Sequence, residues 1–163
     1  MKRVKLTTNA NPHFIGAWNI VDDNLCRKII DFFNNNSELQ KKGITGSGID
    51  EKVKKTTDIT IYPNSLKNKS HHVFSFYFKR LNECFLDYRE QFPYLKSIVK
   101  KVNIGPFNIQ KYHPGDHFSK IHSERTDINY AHRLFAWMTY LNDVDENDGG
   151  TTDFDYYKIK IKP

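Results

Sequence analysis

The architecture is read from Asn108-Ile109-Gln110-Lys111-Tyr112-His113-Pro114-Gly115-Asp116-His117-Phe118-Ser119-Lys120-Ile121-His122-Ser123-Glu124. Phe107 to Tyr112 alternates apolar and polar residues, as a half-buried strand does. Pro114-Gly115-Asp116 is a turn signal. His117 to His122 then reads as a second, short strand. A stronger strand follows at Leu134 to Leu141, with Phe135, Trp137, Thr139 and Leu141 on one face and Leu134, Ala136, Met138 and Tyr140 on the other. Asn142 to Gly150 is an acidic turn ending in glycine. Phe154 to Ile161 reads as a last strand, with Tyr157, Ile159 and Ile161 inward and lysines outward.

The residues before this stretch have a different period. Asp22-Asp23 offer N-cap oxygens to a helix carrying Leu25, Ile29, Ile30 and Phe33. Residues 41–50 are rich in Gly, Ser and Thr and read as loop or turn. Thr57, Ile59 and Ile61 alternate with Asp58 and Thr60 in a strand that Pro63 ends. Val73, Phe74, Tyr77, Leu81, Cys84, Phe85 and Tyr88 line one face of a helix over 70–91, closed by Pro93. Helices first and strands after give an α+β chain, a sheet or sandwich core buttressed by N-terminal helices. At 163 residues a single domain is expected, with 1–95 as mixed support and 96–163 as the strand-rich core.

Composition narrows the function classes. Net charge is +6, but the lysines are scattered and no arginine-rich tract appears, so solvated lysines are favoured over a nucleic-acid surface. Cys26 and Cys84 form no CxxC pair and suit reduced, buried thiols. Met1-Lys2-Arg3-Val4-Lys5-Leu6 has charge without an apolar h-region, and no apolar run reaches a membrane span. A soluble, cytoplasmic protein is the expectation.

His122 and Glu124 carry the chemistry. In an extended chain residues i and i+2 share a side, so an imidazole and a carboxylate there can grip one ion from adjacent corners. That is part of the 2-His-1-carboxylate ligand set of non-haem iron(II). A His-x-Glu pair alone is a weak signal, and two solvated surface residues are the ordinary alternative.

The surroundings make the signal specific. Tyr112 precedes Pro114-Gly115; His122-Ser123-Glu124 follows; then come Tyr140-Leu141-Asn142 and Gly149-Gly150-Thr151-Thr152-Asp153-Phe154. This order resembles the prolyl 4-hydroxylase-like family of iron(II)- and 2-oxoglutarate-dependent oxygenases. Phe14-Ile15-Gly16-Ala17-Trp18 and Lys54-Lys55-Thr56-Thr57-Asp58 extend the likeness over most of the chain. The resemblance implies a double-stranded β-helix (distorted jelly roll) with N-terminal supporting helices. It makes His122 and Glu124 the first two iron ligands, with glutamate where aspartate is commoner. Tyr112 and Tyr140 match positions facing the co-substrate; core aromatics with satisfied hydroxyls are the alternative for both. His113 and His117 suit outer-shell or surface roles. The family's distal histidine and the basic partner of 2-oxoglutarate have no counterpart before Pro163. The resemblance therefore implies a chain lacking the C-terminal strands, little turnover, and an open edge prone to self-association.

The implied activity is hydroxylation of a C–H bond with iron(II), dioxygen and 2-oxoglutarate, with ascorbate a candidate accessory. A peptide or small molecule is favoured over nucleic acid as the second substrate. The competing class is a non-catalytic β-sandwich fragment that binds a protein partner.

Overall fold

The computed structural model describes residues 2–8, 12–20 and 22–163. In chain order the elements are β1 (Lys2–Val4), β2 (Ala17–Asn19), α1 (Asp23–Asn35), β3 (Lys41–Lys42), β4 (Lys54–Lys55), β5 (Thr57–Ile61), α2 (His72–Glu90), α3 (Pro93–Ile98), β6 (Phe107–Lys111), β7 (His117–Phe118), β8 (Thr152–Phe154) and β9 (Ile159–Ile161). Among the described residues every strand pairing is antiparallel and the sheets have two or three strands. The chain is α+β. No described helix is long and apolar enough to cross a membrane.

The fold divides into two compact units. The first takes the residues up to Asp31, Pro63–Gly105 and Tyr140–Pro163; the second takes Phe32–Tyr62 and Pro106–Thr139.

In the first unit, α1 begins where Asp22 caps it. The Leu25 N–H donates to Asp22 Oδ1 at 2.8 Å, an N-cap worth about 1 kcal/mol. Helix α2 buries Phe74, Tyr77 and Cys84 and packs on α3 and on the 3-10 turns before it. Pro93 ends α2 by opening α3, where its missing N–H costs nothing. Asp87 of α2 anchors the β1–β2 ladder, accepting from Trp18 Nε1 at 2.7 Å and Arg3 Nε at 2.9 Å. Gly16 is required beside it, because a Cβ there would lie 2.2 Å from the Trp18 ring. Cys84 is buried and Cys26 is partly exposed; burial pushes the Cys84 thiol up to about 11, which makes it a poor nucleophile.

The expected single strand over Phe154–Ile161 is instead the β8–β9 hairpin, with Thr152 opposite Ile161 and Phe154 opposite Ile159. Lys158 takes a left-handed conformation at φ 52° and turns the chain back.

The second unit is built on the β3-β5-β6 sheet. Register runs from Thr57 opposite Lys111 to Ile61 opposite Phe107, and buries Ile59, Ile61 and Ile109. Residues 41–50 were expected to be loop; Lys41 and Lys42 pair with Asp58 and Thr57 before the Thr45–Gly48 turn. The second ladder sets Lys54 opposite Phe118 and Lys55 opposite His117. The strand expected over His117–His122 stops at Phe118, so His122 lies on the loop beyond it.

The largest departure is Leu134–Leu141, which carries no strand assignment. A strand apolar on both faces needs a ladder partner at its edge and a packed layer over each face, and no described strand is registered against this segment. Within the second unit Leu134, Trp137 and Met138 are exposed.

Candidate functional site

His122 and Glu124 sit in the second unit on the loop after β7. Their side chains converge, with His122 Nε2 3.6 Å from Glu124 Oε1. Both are a little under half exposed, at 43% and 49%. His122 Nδ1 is 3.0 Å from the Lys120 carbonyl. A carbonyl oxygen only accepts, so Nδ1 carries a hydrogen in that contact, and Nε2 is the ring nitrogen that faces Glu124. The other Glu124 oxygen, Oε2, accepts from Arg133 Nη1 at 2.8 Å, and the Arg133 guanidinium lies over the Tyr130 ring, 4.4 Å from its centre.

Beneath this loop lies a buried polar network. Lys54 Nζ pairs with Asp58 Oδ2 at 2.7 Å, the two side chains being 4% and 6% exposed. Thr56 Oγ1 donates to Asp58 Oδ1 at 2.7 Å, and Gln110 Nε2 donates to Asp58 Oδ2 at 3.1 Å. Asp58 alternates with Ile59 and is nevertheless buried. Lys54, four residues earlier, supplies the counter-charge that burial demands. Gly43 closes the network: its N–H donates to the Thr56 carbonyl at 2.9 Å, and a Cβ there would lie 2.1 Å from Thr56 Oγ1.

A cleft of about 340 Å³ opens in the same unit, with His113, Asp116, Lys55, Lys42 and Glu51 among its lining residues. Neither His122 nor Glu124 lines it. Lys42–Glu51 and Lys55–Asp116 are ion pairs at 2.7 and 3.0 Å. The His113 backbone N–H and the Lys55 ammonium hold the Asp116 carboxyl below its usual range. His117 ties two segments together, its ring nitrogens lying 3.3 Å from the Gly115 carbonyl and 3.2 Å from that of Lys52.

Of the two tyrosines, Tyr112 follows β6 in the second unit and is 46% exposed. Tyr140 belongs to the first unit, where its hydroxyl lies 2.8 Å from Thr152 Oγ1 and 3.1 Å from the Ile161 carbonyl. Among the described residues no group of three or more His, Cys, Asp or Glu side chains is arranged to hold a metal. The sequence reading missed Arg133, Phe118 and Lys54 as parts of this region. Phe118 and Lys54 stand inside quoted motifs, but only the β4–β7 register, which joins residues far apart in sequence, brings Lys54 to Phe118.

No protein-family model, curated protein or solved structure matches the chain.

Proposed function

We propose that the chain is an iron(II)- and 2-oxoglutarate-dependent oxygenase of the prolyl 4-hydroxylase-like kind, built on a double-stranded β-helix, with His122 and Glu124 as iron donors. The convergence of His122 Nε2 and Glu124 Oε1 at 3.6 Å carries the reading. Two donors on adjacent octahedral corners, each roughly 2.0–2.2 Å from the metal, lie about 3.0 Å apart. A closure of about half an ångström, within reach of two half-exposed side chains on a loop, brings the pair to that spacing. The donor types fit iron(II), and the Lys120 carbonyl, by engaging Nδ1, leaves Nε2 as the nitrogen available for ligation.

Bound iron would supply oxidation of a substrate C–H bond by dioxygen, with 2-oxoglutarate converted to succinate and carbon dioxide. The protein's own residues have separable tasks. His122 and Glu124 hold the ion. Arg133 occupies Glu124 Oε2 and so leaves Oε1 to face the imidazole. Tyr112, of the same unit, is proposed to orient a co-substrate carboxylate. The second substrate is proposed to be peptidyl or a small molecule, met in the cytoplasm.

Anaerobic Fe(II) titration of the full chain tests this. His122→Ala and Glu124→Ala should each weaken Fe(II) binding at least about tenfold. Equal affinity in the parent chain and His122→Ala would overturn the assignment. A non-catalytic, protein-binding module is the second reading. It draws on the exposed Ile121, Ile128, Leu134 and Met138 of the second unit, and predicts that same equality.

A further inference from the structure

We propose that Phe118 is a positioning residue for His122, itself braced by the buried Lys54–Asp58 pair; the inference rests on His122 being a metal donor. The Phe118 and His122 rings are stacked, 4.2 Å between centres and 13° between planes. The stack fixes the tilt of the imidazole, while the Nδ1 contact to the Lys120 carbonyl fixes its rotation. Together they aim Nε2 at Glu124 before any ion arrives.

Phe118 is held in turn. It stands opposite Lys54 in the β4–β7 ladder, and the next residue locks the register, Ser119 N–H donating to the Val53 carbonyl at 2.9 Å. The Lys54 ammonium lies 5.7 Å from the centre of the Phe118 ring, within the range of a cation–π contact. Asp58 fixes that ammonium at 2.7 Å, and Thr56 and Gln110 fix Asp58. A buried charge with saturated partners is a rigid support, because any shift leaves a polar group unpaired. Rigidity thus passes from the polar interior through one aromatic ring to a half-exposed ligand on a loop.

Setting free one immobilised side chain changes a binding equilibrium by roughly twofold to tenfold. The experiment uses the full chain, Mn(II) as the probe metal with binding followed by electron paramagnetic resonance, and the His122 ring protons followed by NMR without metal. In the parent protein those protons should be displaced upfield by the Phe118 ring current. Phe118→Leu should abolish the displacement and weaken Mn(II) binding roughly threefold to tenfold. Phe118→Tyr, which keeps the ring, should restore both. Lys54→Met/Asp58→Leu, which removes the charges as a pair, should move the His122 shifts toward those of Phe118→Leu. Parent-like Mn(II) affinity in Phe118→Leu, with weakened binding in His122→Ala, would overturn the positioning role and leave the metal assignment standing. Parent-like affinity in His122→Ala would overturn both.

Discussion

Asp58 and Glu124 are carboxylates of the same unit, and each meets a cation at hydrogen-bond distance, Lys54 at 2.7 Å and Arg133 at 2.8 Å. Their surroundings differ. Asp58 is 5% exposed, and both its oxygens accept from Lys54, Thr56 or Gln110. Glu124 is half exposed, with one oxygen taken by Arg133 and the other turned toward an imidazole nitrogen. The buried carboxylate, with three hydrogen bonds from its own unit, is closed off from ligands and serves the fold. The half-saturated one keeps a lone pair aimed at a second donor and is suited to bind. Burial and satisfaction, more than residue type, separate the structural acid from the chemical one.

The sharpest way to break this comparison is to remove one member of the buried pair. Lys54→Met should destabilise the protein by about 3–5 kcal/mol in urea or guanidinium unfolding, because Asp58 is left as an uncompensated buried charge. Lys54→Met/Asp58→Leu should regain most of that loss. A single variant as stable as the parent would mean that the Asp58 charge finds solvent. The next largest effect is expected at Gly43→Ala. Its new methyl group must displace Thr56, Lys54 or both, so a cost of about 1–3 kcal/mol is expected in the same assay. Arg133→Ala belongs to the exposed side of the contrast and should change stability by less than about 1 kcal/mol. A loss as large as that of Lys54→Met would erase the distinction.

The smallest effect is one of pH. Folding lowers the Asp116 pKa through the His113 N–H and the Lys55 ammonium. The unfolded chain therefore takes up that proton first as the solution is acidified. The stabilisation is complete above the unfolded carboxyl value of about 3.9 and fades as pH falls through the lower folded value. Melting temperatures measured from pH 6 down to pH 3 should fall less steeply for Asp116→Asn than for the parent. Identical slopes would dismiss the contribution.

What the sequence disclosed follows from which contacts are local. The α1 start was legible because the Asp22 cap and the Leu25-Ile29-Phe33 spacing lie within three turns. Helix α2 was legible for the same reason, and so were β5 and β6 from their alternation. The burial of Asp58 was not legible because strand alternation assigns faces without saying what covers them; its counter-charge, Lys54, lies outside the strand. Phe154–Ile161 hid a hairpin because its reversal falls on Lys158, a residue with no preference for left-handed geometry. Leu134–Leu141 has a strong strand pattern, but a strand exists only through its neighbours, and pattern cannot supply them. At the site, the two-residue spacing of His122 and Glu124 was visible, whereas the stack on Phe118 and the clasp of Arg133 depend on loop geometry that no periodicity encodes.

The chain has two tryptophans, and the anchoring of Trp18 makes them different optical instruments. Trp18 lies in the first unit with its indole N–H on the Asp87 carboxylate and the Arg3 guanidinium 5.1 Å from its ring centre. Trp137 lies in the second unit, 37% exposed and 6.3 Å from the Phe107 ring. Fixed charges beside an indole shift its emission energy, and water around it broadens and reddens the band. Replacing either tryptophan with phenylalanine leaves a single fluorophore that reports on one unit alone. Whether the two units melt together or in sequence then becomes a matter of comparing two emission curves.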